Sequence, residues 1–163
     1  DQVVGELTIS VLFLILIMGV HGSCLTTTSR RFTRHFATMY VATPEWRIRL
    51  LMGTTIAAPV LIHLIEALIW AFPLYLFGLI DTFRHCFSYV LESYTTLGAG
   101  TIDLPEEYQL IGPMIGMSGL FTFGWTGSAL VFVMGQILKL EERKQHKQID
   151  DQAAEGKGPF GTG

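Results

Sequence analysis

The sequence predicts an all-α membrane protein: three spanning helices, with a short helix and loop folded back between the second and the third. Three observations lead there. Half of the 163 residues are apolar, only 15% are charged and the mean hydropathy is +0.43, a balance that argues against an ordinary soluble domain. The charges are unevenly placed, since Glu66 is the only formal charge between Leu50 and Ile80 and none lies between Glu107 and Lys139, so both intervals read as membrane spans. The connection between them, Asp81 to Glu107, carries an apolar helical pattern where a solvent loop would be polar.

The first span centres on Val11 to Val20, extended by Leu7 and Ile9 before it and by Gly22 and Ser23 after it. A secretory signal would place basic residues ahead of its apolar core, whereas Asp1 and Glu6 precede this one and Arg30, Arg31 and Arg34 follow it. A span with its N-terminus outside fits that order. Residues 1–24 are thus the N-terminal transmembrane helix and residues 25–49 a cytoplasmic basic segment. Within it Phe32, Phe36 and Met39/Tyr40 recur at helical spacing, as in a helix lying along the interface.

The second span runs from about Arg49 to Ile80, which at about 1.5 Å per residue exceeds a hydrocarbon core about 30 Å thick and implies tilt, with Pro59 and Pro73 adding kinks. The third runs from about Leu110 to Leu138 and passes into the charged stretch Lys139 to Lys147. With both basic stretches in the cytoplasm the positive-inside rule is met and the C-terminus is cytoplasmic. Residues 139–163 form a charged helix end and a flexible tail, whose Ala, Gly, Lys and Pro cannot build a core.

The connection holds Phe83, Phe87, Val90, Leu91 and Tyr94 at i, i+4, i+7, i+8 and i+11, an apolar helical face. It runs into Thr95-Thr96-Leu97-Gly98-Ala99-Gly100-Thr101, where alternating glycines open backbone conformations closed to other residues. Non-helical backbone at membrane depth must be covered by protein or line a watery cavity, so this segment reads as a re-entrant loop.

Together with Leu104-Pro105 and the glycine-rich third span with Phe123-Gly124-Trp125, these residues resemble the pore module of potassium channels, in particular small bacterial channel proteins with one pore loop per chain. The likeness covers about His63 to Gln136, and residues 50–138 would be the pore module: outer helix, pore helix with filter, and inner helix. It implies that Thr96, Leu97, Gly98, Ala99 and Gly100 replace the hydration shell of passing potassium or sodium ions. Glu92, Thr95 and Thr101 would support that filter, and Gly119 or Gly124 would be a gating hinge. The family usually has an aromatic at Ala99 and an aspartate at Thr101. Loss of the aromatic buttress implies relaxed discrimination between potassium and sodium unless Phe87, Tyr89 or Tyr94 fills the space.

Other residues have plainer readings. Gly112 and Gly116 form a small-xxx-small pair for close packing, and Met114, Met117 and Met134 are core filler. His63 and Glu66, three apart, share one face of the second span. They make half a metal site, and nothing in the sequence brings His21, His35 or His85 beside them, so the pair is read as structural and no resident metal is expected. Cys24 and Cys86 are too few for a disulfide scaffold, fall on opposite sides of the bilayer, and should be free thiols.

A net charge of -3 and a pI near 5.9 argue against nucleic acid as a partner. Phosphate-binding loops, nucleophile elbows and hydrolase metal motifs are absent, so no enzyme and no cofactor are expected. The function expected is a passive cation channel in the bacterial inner membrane, a homotetramer because one chain supplies one loop. The alternative is a non-conducting accessory subunit packed among other membrane subunits, which the altered filter and the low-complexity tail favour.

Overall fold

The computed structural model describes residues 2–39, 43–98, 100 and 102–155. It comprises α1 (Gln2–Ala37), α2 (Glu45–Leu76), α3 (Phe83–Tyr94) and α4 (Ile111–Glu155), with a 3-10 turn at Glu106–Tyr108 and no strand among the described residues. α1, α2 and α4 are long and apolar enough to cross a membrane. Even the shortest, α2 with 32 residues, is about 48 Å long against a hydrocarbon core of about 30 Å. Much of their apolar surface faces outward: Val3, Leu12, Ile15, Val60, Leu61 and Leu120 are each more than half exposed.

α1 is unbroken through Ala37. Neither Gly nor Pro interrupts it after Gly22, and Thr27, Thr28 and Thr33 return their hydroxyls to carbonyls four residues back at 2.8 to 3.0 Å. The helix that carries Phe32 and Phe36 is therefore the end of α1 and not a separate element lying along an interface. Phe32 is buried against Ile48 of α2 and Val133, Ile137 and Leu140 of α4, with Met39 beside them, while Tyr40 lies outside the described residues. Pro59 and Pro73 both sit inside α2, which continues past them.

The long helices alternate in direction. Near the start of α1, Glu6 Oε1 accepts from the Leu110 N–H at the head of α4 (2.8 Å), and Phe13 lies 5.3 Å from Trp70 late in α2. At the other end Lys144 Nζ donates to the Thr43 carbonyl just before α2 (3.0 Å). One apolar core gathers Ile17, Ala67, Trp70, Leu74, Val90 and Ile115 toward the first end, and the Phe32 cluster fills the second. Between them lies a polar layer: His21, Glu66, Thr122 and Thr126 are buried and His63 nearly so.

α3 forms where its apolar spacing predicts, but its buried face is turned from the one expected. Cys86, Tyr89, Val90, Ser93 and Tyr94 are buried, whereas Phe83 is exposed and Phe87 and Leu91 are half-buried. The reason is what α3 packs against: small residues of α4 admit Tyr89 and Ser93 closely, while Phe83 and Phe87 stack on each other (6.4 Å) at the outer side. The Thr82 hydroxyl caps its N-terminus by accepting from His85 N (3.3 Å). Of the three methionines read as core filler, Met114 is buried but Met117 and Met134 are exposed in the single chain. α4 continues to Glu155, and the rest of the tail, 156–163, lies outside the described residues.

Candidate functional site

The end of α3 is the junction of the molecule. Its C-terminus closes in a Schellman motif, with Leu97 N donating to Glu92 O (2.9 Å) and Thr96 N to Ser93 O (2.9 Å), which puts Thr96 in the left-handed region at φ 61°. Threonine there is unusual, since glycine normally takes this position. Gly98 (φ 89°) and Gly100 (φ 58°) follow, while Leu97, between Thr96 and Gly98, does not have a positive φ. Thr95 Oγ1 donates to Leu91 O (2.7 Å), tying the first residue after α3 back onto it.

Glu92 leans toward the same run. Ser88 Oγ donates to Glu92 Oε1 (3.0 Å), and Glu92 Oε2 would lie 3.3 Å from a Cβ placed on Gly100. Thr96, Leu97 and Gly98 are exposed, Leu97 at 81%. Thr96 and Gly98 border an open cleft of about 400 Å³ shared with Tyr89, Gly112, Gly116 and Met117. Ala99 and Thr101, the two departures from the family pattern, lie outside the described residues. Of Phe87, Tyr89 and Tyr94, only Tyr89 borders that cleft, Tyr94 bonding to Glu66 and Phe87 stacking on Phe83.

α4 receives α3 in a groove of glycines. A Cβ on Gly112 would stand 2.6 Å from Tyr89 Oη, one on Gly116 3.1 Å from the Ser93 carbonyl, and one on Gly119 1.9 Å from the Tyr94 carbonyl. Gly119 is thus held by close approach of backbone to backbone, whereas Gly124 has nothing within 4 Å. Of the two expected hinge positions, Gly119 is a packing position.

On its other side Tyr94 enters the polar layer. Its hydroxyl donates to Glu66 Oε2 (2.5 Å) and lies 2.6 Å from Thr122 Oγ1 and 3.0 Å from His63 Nδ1. His21 Nδ1 is 2.8 Å from Glu66 Oε1, and His63 Nδ1 is 3.5 Å from Glu66 Oε2. The far nitrogens of both imidazoles converge on one hydroxyl, with Thr126 Oγ1 3.3 Å from His21 Nε2 and 3.2 Å from His63 Nε2. His63 and Glu66 share a face of α2, as their spacing predicts, and α1 brings His21 to them.

The layer is closed to its own helix as well, since the Thr122 hydroxyl also donates to Ser118 O (3.0 Å). Among the described residues no buried side-chain nitrogen or oxygen lacks a partner. One ligand atom each from His21, His63 and Glu66 also falls within 4.8 Å of the others, a spacing a metal ion could bridge.

Sequence reasoning left His21, Tyr94, Thr122 and Thr126 out of this layer. The available signals were an ionisable residue inside an apolar span and a threonine pair at i, i+4 facing inward. Cys24 is exposed and Cys86 buried, both as free thiols, and burial pushes the Cys86 thiol above the ordinary range. The fold and site define a class, an all-α membrane protein with three helices able to span and a fourth, shorter helix ending among them. The chain matches no protein-family model, no curated protein and no solved structure.

Proposed function

We propose that this chain is one subunit of a passive channel for monovalent cations, with Thr96, Leu97, Gly98, Ala99 and Gly100 forming the filter. One observation carries the reading. Tyr94, the last residue of α3, bonds to Glu66 and Thr122, and Glu66 in turn meets His21, residues that lie part-way along α2, α4 and α1 and not at their ends. A 12-residue helix of about 18 Å cannot cross a core of about 30 Å, so the chain starts back from mid-depth and reaches the Leu110–Glu6 end as a loop. Such backbone survives at that depth only against protein or water.

Thr96, Gly98 and Gly100 have positive φ, and alternation of backbone sign along such a run is one way to aim carbonyls at a common axis. Thr96, Leu97 and Gly98 are exposed in the single chain, as are Met117 and Leu120 beside them, leaving that side to further copies around an axis. A homotetramer in a bilayer, N-terminus outside, supplies them. Ala99 leaves the outer filter without an aromatic wedge, so discrimination between potassium and sodium is relaxed.

The test is ion flux into liposomes holding the full chain, with oligomeric state read by cross-linking. Potassium flux that disappears in Gly98→Val while insertion and assembly persist supports the reading. Equal flux in both puts the ion path elsewhere. A confirmed tetramer that conducts nothing overturns conduction in favour of an accessory subunit.

A further inference from the structure

The polar layer has the donor set of a metal centre. We propose that His21, His63 and Glu66, with the Tyr94 hydroxyl as fourth donor, bind one divalent ion of the zinc type where α1, α2 and the end of α3 meet. The inference rests on the geometry of this layer and does not depend on whether the chain conducts.

Both imidazoles present Nδ1 to the same carboxylate, one to each oxygen, at 2.8 and 3.5 Å. A zinc ion about 2.0–2.2 Å from each ligand sets neighbouring ligand atoms roughly 3.4 Å apart in a tetrahedron. The two nitrogen–oxygen separations, each to a different oxygen of the carboxylate, bracket that value, and one ligand atom from each of the three residues lies within 4.8 Å of the others. Tyr94 Oη lies beside the set, 3.0 Å from His63 Nδ1 and 2.5 Å from Glu66 Oε2, near enough to serve as the fourth donor. Nitrogen and oxygen donors without sulfur suit zinc and its neighbours in the first transition row, not calcium or magnesium.

The surroundings match as well. Imidazoles that ligate through one nitrogen donate the other N–H to an acceptor that fixes the tautomer. Here both Nε2 atoms face Thr126 Oγ1, whose two lone pairs accept from both rings only when both Nδ1 lone pairs are engaged. Without a metal the same hydroxyl must accept from one ring and donate to the other, so the two imidazoles take different tautomers. A ring that ligates through Nδ1 cannot keep a hydrogen there, so each Nδ1 hydrogen present before binding is released or moves to Nε2, and both Nε2–H groups then face Thr126. His21 is fully buried, with Trp125 (5.8 Å between ring centroids) against it and Phe123 against His63 (4.5 Å), a shell that excludes water.

The full chain, purified in detergent through a tag without histidine and stripped with chelator, is titrated with Co²⁺ by visible absorption, and bound Zn²⁺ is counted by elemental analysis. We expect one ion per chain with the intense bands of four-coordinate cobalt. Thr126→Val should weaken binding by roughly 10- to 100-fold. His21→Gln, checked for native helicity, should weaken it further, and His85→Gln should leave it unchanged. Absence of a bound ion on the folded native chain, weak six-coordinate cobalt bands, or equal affinity in His21→Gln would each overturn the site. The native-chain spectrum decides the matter even if the variants do not fold. Because the readout is binding and not current, a failure here and a failure of conduction are told apart.

Discussion

The two sides of α3 are held by opposite means. Toward α4 the contact is backbone on backbone, with Gly112, Gly116 and Gly119 admitting Tyr89, Ser93 and the Tyr94 carbonyl. Toward α1 and α2 it is side chain on side chain, through the Tyr94 hydroxyl and the His21–Glu66–His63 cluster. A backbone groove has no spare dimension and tolerates no added atom. A polar layer tolerates exchange of atoms provided every donor keeps an acceptor.

That contrast can be broken from either side. Glu66→Ala should be the most damaging single change, costing about 3–5 kcal/mol because it strands His21 and the Tyr94 hydroxyl in a dry layer. Glu66→Gln keeps an acceptor and should cost about 1–3 kcal/mol. Reversible unfolding in mixed micelles measures both, and equal losses would mean that the layer does not work through hydrogen-bond pairing. Gly119→Ala should cost about 1–3 kcal/mol, since its Cβ would stand 1.9 Å from the Tyr94 carbonyl and a backbone atom cannot rotate away.

Gly124→Ala sharpens the comparison. Nothing lies within 4 Å of that position, so it should stabilise α4 by about 0.5–1 kcal/mol in the same assay. A loss as large as that of Gly119→Ala would mean that Gly124 is covered in the assembled protein. The smallest effect concerns thiol reactivity. Exposed Cys24 should react promptly with a maleimide, while Cys86, fully buried and pushed toward the neutral thiol, should react only after unfolding.

Much of this architecture was legible in the residues because it depends on local pattern. Two intervals, one with Glu66 as its single charge and one with none, mark α2 and α4, the apolar spacing of Phe83 to Tyr94 marks α3, and alternating glycines mark the turn after it. What escaped depends on register between distant helices. Nothing near His21 in the chain shows that α1 will place it 2.8 Å from Glu66, because a rotation of α1 by one residue, about 100° about its axis, would send it to lipid. The turned face of α3 escaped for the same reason. Which of its sides is buried is decided by the glycines of α4, and the apolar pattern of α3 alone points to its aromatic edge. The extent of α1 was misjudged because arginines at Arg30, Arg31 and Arg34 suggest a change of environment, whereas the helix carries them on its exposed face without interruption.

The order in which the layer's parts leave the ribosome follows from their places in the chain. His21 can find Glu66 as soon as the second long helix has been made, so the first two spans can clasp as a hairpin on their own. Tyr94 arrives next and offers its hydroxyl to a carboxylate already in place. Thr122 and Thr126 come last and take the remaining valences, as Leu110 takes Glu6 at the far end. The first of these helices is therefore completed by the last, and a chain that stops before Leu110 has its acid and its two imidazoles paired but lacks the Thr126 hydroxyl on which both rings converge.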